Sequence, residues 1–116
     1  MVGDTMNRTV TEDLLPSVHP GEVLREEFLK PLGLSAGKVA HAIGVPRNRI
    51  ERLAIEQVDL TPDTALRLAK YFGTTAEFWM NIESRYALEH AADAIGDALD
   101  RIQPITPGTE VAGPRA

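Results

Sequence analysis

The sequence predicts an all-α protein, and three observations carry that prediction. Apolar residues recur at spacings of three and four, with no apolar–polar alternation long enough to make a strand. Proline and glycine punctuate the periodic stretches where helices start and stop. The 116 residues, 43% of them apolar, suit one folded domain with a genuine core.

Residues 1–18 are polar and aperiodic and read as a flexible N-terminal arm. From His19, "HPGEVLREEFL" sets Pro20 at a helix start, acids in the first turns, and Val23, Leu24 and Phe28 on one side. Pro31 is expected to end this helix. Ser35 caps the next segment, "AGKVAHAI", which stops at Gly44. A third short helix follows Pro46, with Ile50 and Leu53 turned inward.

"LTPDTALRLAKYFG" reads as the fourth helix: Thr61 caps it, Pro62 opens it, Asp63 favours its positive end and Gly73 closes it. Its buried stripe is expected to be Leu66, Ala69 and Phe72. Thr74 and Glu77 form a capping box for a fifth helix that carries Phe78, Trp79, Met80 and Ile82. Leu88, Ala92, Ile95, Leu99 and Ile102 then recur at spacings of 4, 3, 4 and 3, which predicts a C-terminal helix over 84–102 with a stripe for another helix. Pro104, Pro107, Gly108, Gly113 and Pro114 mark 103–116 as a disordered tail. The folded domain is thereby placed at 19–83.

Composition narrows the function. There is no cysteine, so disulfides and thiolate metal sites are excluded. His19, His41 and His90 match no metal-ligand spacing, and neither a metal nor another cofactor is expected. Asp4, Arg8, Glu12 and Asp13 interrupt any signal-peptide core, and no apolar run approaches the ~20 residues of a membrane helix. The expectation is a cytoplasmic protein without a membrane partner. No Ser-His-Asp set, glycine-rich phosphate loop or catalytic acid pair is visible, so no catalytic residue is assigned and an enzyme is not expected.

The net charge of −5 argues at first against nucleic acid, but it is unevenly spread. Residues 36–70 hold six Lys and Arg against four Asp and Glu, whereas 1–35 and 75–102 are each acidic. Acid-rich positions such as Glu26, Glu27, Asp93, Asp97 and Asp100 read as solvated helix surface, or as a docking face for a basic partner.

The basic region contains a bihelical corner at about 35–55. Two short helices crossing sharply need a small residue at the crossing, here Ala40, and a residue tolerant of positive φ four positions on, here Gly44. An apolar plug follows at Val45, and Ile50 and Leu53 face inward from the second helix, with Val39 and Ile43 completing the set. This is the pattern of a DNA-binding helix-turn-helix, or of a plain αα-corner in a helical bundle, and the outward face of the second helix favours the former. With Ile50 and Leu53 buried, helical geometry turns Arg47, Asn48, Glu51 and Arg52 outward. Asn and Arg can bond two atoms of adenine or guanine in the major groove, and these lie at the N-terminal end of the helix that enters it. Arg49 lies off that face and suits a phosphate, as does Lys38 on the preceding helix. Glu51 suits either pairing with Arg47 or accepting from a cytosine amino group.

"HPGEVLREEFLKPLGLS", "AHAIGVPRNRI" and "LTPDTALRLAKYFGTTAEFWMNIESRYALE" together resemble the HigA-type antitoxins of type II toxin–antitoxin systems, a branch of the Cro/C1 (XRE)-like helix-turn-helix family. The resemblance runs from His19 to Glu89 and implies a five-helix, lambda-repressor-like domain, here with an added C-terminal helical extension. It also implies a homodimer that neutralises a HigB-like mRNA-cleaving RNase toxin and binds double-stranded operator DNA to repress its own operon. Carried over residue by residue, Ser35 and Lys38 would contact the DNA backbone, and Arg47, Asn48, Arg49 and Arg52 would be contacts of the recognition helix. The dimer interface is expected along the fifth helix at Phe78, Trp79, Ile82 and Tyr86.

Two departures from the family pattern bear on affinity. Ala36 stands where many members carry a phosphate-gripping Gln, and "AIEQVDLT" replaces the usual basic Asn-Gly turn. Glu56 and Asp59 would then oppose phosphate, so a modest operator affinity is expected. The competing readings are a stand-alone phage-like repressor with no toxin and a toxin-masking module with little DNA binding.

Overall fold

In the computed structural model, residues 17–106 are described, and among them the protein is all-helical. The expected arm before Ser17 and the tail after Thr106 lie outside the described residues. Helix α1 is assembled from three consecutive pieces: an α turn Pro20–Val23, a π-helical stretch Leu24–Leu29 and a closing turn Lys30–Leu32. His19 caps it, its Nδ1 accepting the Gly21 N–H at 2.9 Å. Pro31 does not end this helix, contrary to expectation; Gly33 does, at φ 65°. The wide turn explains why. Lys30 N–H bonds the Arg25 carbonyl five residues back, which displaces the carbonyl that the Pro31 ring would strike in a regular α-helix.

Helix α2 spans Ala36–Ile43, α3 Arg47–Ala54, α4 Pro62–Phe72, α5 Ala76–Ile95 and the short α6 Asp97–Asp100. The core is common to α1 through α5: Leu24, Val39, Ala40, Ile50, Leu53, Ala65, Leu68 and Trp79 are all essentially inaccessible. Gly21 makes the tightest approach. A Cβ built there would sit 1.8 Å from the Leu53 carbonyl oxygen, so α1 rests on the backbone of α3 where only hydrogen fits.

Three sequence expectations need correction. Leu66 is 62% exposed, and α4 buries Thr64, Ala65, Leu68 and Ala69 instead; Leu66 lies about 100° round the helix from Ala65 and so off that stripe. The cap of α5 is Thr75, whose hydroxyl accepts from Phe78 N–H at 3.0 Å. Thr74 is engaged elsewhere, accepting the Trp79 indole N–H at 2.8 Å. Finally, no separate helix covers 84–102: α5 runs unbroken from Ala76 to Ile95, and Gly96, at φ 55° and ψ −128°, breaks the chain before α6. From Ala87 to Thr106 every residue is exposed.

Glu83 is the one acid of the described core, 8% exposed on α5. Its Oε1 accepts the Leu60 N–H at 3.0 Å, which satisfies the carboxylate and ties the α3–α4 connection to α5.

Candidate nucleic-acid interface

The corner forms because its residues satisfy the end of one helix and the start of the next. Gly44 takes φ 77°, Gly44 N–H bonds the His41 carbonyl at 3.3 Å and Val45 N–H bonds the Ala40 carbonyl at 3.0 Å, a doubly closed helix end. Val45 packs on the core as its plug. Ser35 Oγ accepts the Lys38 N–H at 3.0 Å as the α2 cap, which leaves the hydroxyl its own proton to donate.

Ile50 and Leu53 of α3 are buried, and Arg47, Asn48, Arg49, Glu51 and Arg52 are all exposed. The structure therefore brings the predicted recognition residues onto one accessible helix, with Lys38 and Ser35 exposed on α2. Their partners differ. Among the described residues Asn48, Arg52 and Lys38 have no hydrogen-bond or ion-pair partner for their side chains. Arg47 reaches Glu51 only at 4.0 Å, both side chains largely in water, an arrangement worth about 0–1 kcal/mol. Arg47 also lies across Gly37, where an added Cβ would come within 3.2 Å of its Nε. Arg49 is held firmly: its Nη1 donates to Asp63 Oδ2 of α4 at 2.7 Å.

Of the two acids that the sequence sets against phosphate, Glu56 has a partner the sequence does not show, and Asp59 is exposed as expected. Glu56 is paired with Arg25, Nη2 to Oε2 at 3.2 Å, and so opposes an approaching anion less than a free carboxylate would. It also carries the positive φ of 66° at which glycine or asparagine is favoured, closing α3 through Glu56 N–H to Leu53 O at 2.9 Å and Gln57 N–H to Arg52 O at 2.8 Å. The ion pair with Arg25, which also donates to the Ala54 carbonyl, helps hold that left-handed residue in place. Asp59 is exposed and lines the cleft between α3 and α4 with Asn48, Arg49, Arg52, Asp63 and Arg67.

A helix-turn-helix family model matches residues 26–79. The chain is 51% identical over 77 residues to virulence-associated protein I of Dichelobacter nodosus, covering 66% of this chain and 71% of that protein. It is 41% identical over 86 residues to antitoxin HigA-1 of Vibrio cholerae, covering 74% of each. Its fold superposes on the Pseudomonas aeruginosa antitoxin HigA, solved with the higBA promoter, with a TM-score of 0.75, 38% identity, and coverage of 78% of this chain and all of that one. The chain belongs to the HigA-type antitoxins. These are Cro/C1-like helix-turn-helix regulators and not enzymes.

Within this HigA-type frame, the residues set out for a protein interface separate. Trp79 is fully buried and cannot meet a second chain: its indole N–H is spent on Thr74 and its ring packs on Phe28, centroids 5.2 Å apart. A large aromatic with one polar atom is well suited to that interior position, and the sequence gives no sign of which face of the "FW" pair turns in. Phe78 beside it is 41% exposed. Ile82 is half-buried, and Tyr86 is half-covered by its own chain, edge-on to His19 at 4.9 Å and stacked near His90 at 3.9 Å.

Sequence reasoning missed Asp63 and Arg67 as neighbours of the recognition helix. The Arg67 Nε donates to Asp63 Oδ2 at 3.0 Å, and its Nη1 to the Ile43 carbonyl at 2.8 Å, so α4 braces the corner. The four-residue spacing of Asp63 and Arg67 is visible in the sequence, but Arg49 fourteen positions earlier is not a local signal. Hydrogen bonds from Arg67, and after it from Arg49, hold the Asp63 carboxyl below its ordinary range, so it is ionised wherever the protein is folded near neutral pH.

Proposed function

We propose that this chain is an autorepressing antitoxin: a homodimer that reads operator DNA with α3 and neutralises an mRNA-cleaving toxin. The observation that carries the DNA reading is the exposed, unpartnered Asn48 and Arg52 on the helix that follows the corner, flanked by Arg47. Asn48 suits adenine, and Arg47 and Arg52 suit guanine or the flanking phosphates; Lys38 and Ser35 then meet the backbone beside α2. The likeness to HigA solved with its promoter supports operator binding here.

Dimerisation is supported by geometry of two kinds. Two-fold half-sites require two recognition helices one duplex turn apart, which one copy cannot supply. The distal half of α5 and the segment beyond it leave Leu88, Ile95, Leu99 and Ile102 between 48% and 68% exposed, apolar side chains that a lone chain does not cover. Phe78, exposed on the first half of α5, and half-buried Ile82 and Tyr86 offer a second contact on another face of that helix. The toxin reading draws on the likeness to Vibrio cholerae HigA-1, whose name is that of an antitoxin.

The test is a gel shift of the protein on the DNA upstream of its own gene. Wild type should retard this duplex as a complex containing two copies of the chain. Arg47→Ala combined with Arg52→Ala should weaken binding at least 30-fold, since each such contact is worth about 1–3 kcal/mol, with an unchanged melting temperature. Equal retardation by the double variant would end the reading.

A further inference from the structure

Arg49 stands apart from the other cations of α3 because an acid of another helix already hydrogen-bonds it. Its Nη1 meets Asp63 Oδ2 at 2.7 Å, and no other partner for its side chain is found among the described residues. Asp63 is no loose surface acid. It stands in the first turn of α4 and is gripped from behind by Arg67 Nε at 3.0 Å, while Arg67 is pinned by its own bond to the Ile43 carbonyl. The carboxylate is thereby presented to Arg49 across the cleft of about 460 Å³ that Asn48 and Arg52 also line. Asp63 takes an N–H of the Arg49 Nη1 and sets a carboxylate charge beside the guanidinium, so a phosphate oxygen competes for that donor and is repelled while Asp63 keeps it.

We propose that Asp63 is a built-in competitor for the DNA backbone: it holds, on Arg49, the place a phosphate takes when a duplex docks. This rests on the operator-binding reading above. The assignment separates the two arginines that share Asp63. Neutralising Asp63 frees Arg49, whereas Arg67 stays fastened to Ile43, so a single extra phosphate contact is gained. Asp63 thus sets operator affinity low without touching the residues that read bases, in the manner of a fixed internal ligand.

The experiment is a fluorescence-anisotropy titration of the upstream duplex across a series of salt concentrations. The proteins are wild type, Asp63→Asn, Arg49→Ala and the double variant. Asp63→Asn should bind about three- to fivefold more tightly at low salt, the equivalent of one exposed ion pair, and its log–log salt slope should steepen by about 0.9, the value for one further phosphate. Arg49→Ala alone should weaken binding by no more than the few-fold that one exposed ion pair is worth, and in the double variant the gain from Asp63→Asn should vanish. Asp63→Ser serves as a second neutral variant, and thermal melts confirm that each protein is folded. Asp63→Asn binding no more tightly than wild type, or a gain that survives removal of Arg49, would overturn the competitor assignment while leaving operator binding intact. A wild-type protein that ignores the upstream duplex would overturn both.

Discussion

Gly21→Ala lowers the melting temperature by about 15 °C or more, measured by circular dichroism at 222 nm. The new methyl would lie 1.8 Å from the Leu53 carbonyl oxygen, well inside van der Waals contact, and that oxygen belongs to backbone that cannot swing aside. Either α1 lifts from α3 or both helices deform. Overpacking of a rigid site costs about 3 kcal/mol, and for a domain of this size each kcal/mol is worth roughly 4–8 °C. The loss falls on the recognition helix itself, because Leu53 is its inward anchor. Gly21 is thus why the "HPGE" start reads as it does: histidine caps, proline opens, and glycine lets α3 in.

Trp79→Ala should be as damaging, and Phe78→Ala should not. Removing the fully buried indole deletes its contact with Phe28 and strands the Thr74 hydroxyl, at a cost of about 3–5 kcal/mol. The neighbouring phenyl is 41% exposed, and its loss costs about 1 kcal/mol through its edge contact with Trp79. Sedimentation or light scattering on the same pair gives a second readout. Phe78→Ala should shift the proposed dimer toward monomer while the fold persists, whereas Trp79→Ala should lower the melting temperature as far as Gly21→Ala does. A Trp79→Ala protein that melts like wild type would show that the indole is not the centre of the core.

What was legible in the sequence follows from which interactions are local. Caps and stops at Ser35, Gly44, Thr61 and Gly73 are short-range devices, and all four act in the structure as their positions suggest. The inward pair Ile50 and Leu53 fixes the outward face of α3 by helical geometry alone, so the exposure of Arg47, Asn48 and Arg52 could be read directly. Long-range choices could not. Whether Thr74 or Thr75 caps α5 depends on an indole that selects Thr74, and whether Leu66 or Leu68 turns inward depends on where α4 lies against the core. Pro31 misled because a π turn ahead of it relieves the clash that normally ends a helix. The ion pairs Arg49–Asp63 and Arg25–Glu56 join residues fourteen and thirty-one positions apart, distances over which charge patterns carry no register.

Asn48 tests most directly whether α3 reads bases, because its side chain is uncharged. Replacing Asn48 by alanine and titrating both the upstream duplex and a base-shuffled duplex of equal length separates sequence readout from charge. Loss of one bidentate base contact should reduce the ratio of the two affinities by about tenfold or more, while the salt slope stays at its wild-type value. An unchanged ratio would mean that α3 meets DNA, if at all, only through its charges, and would contradict the account.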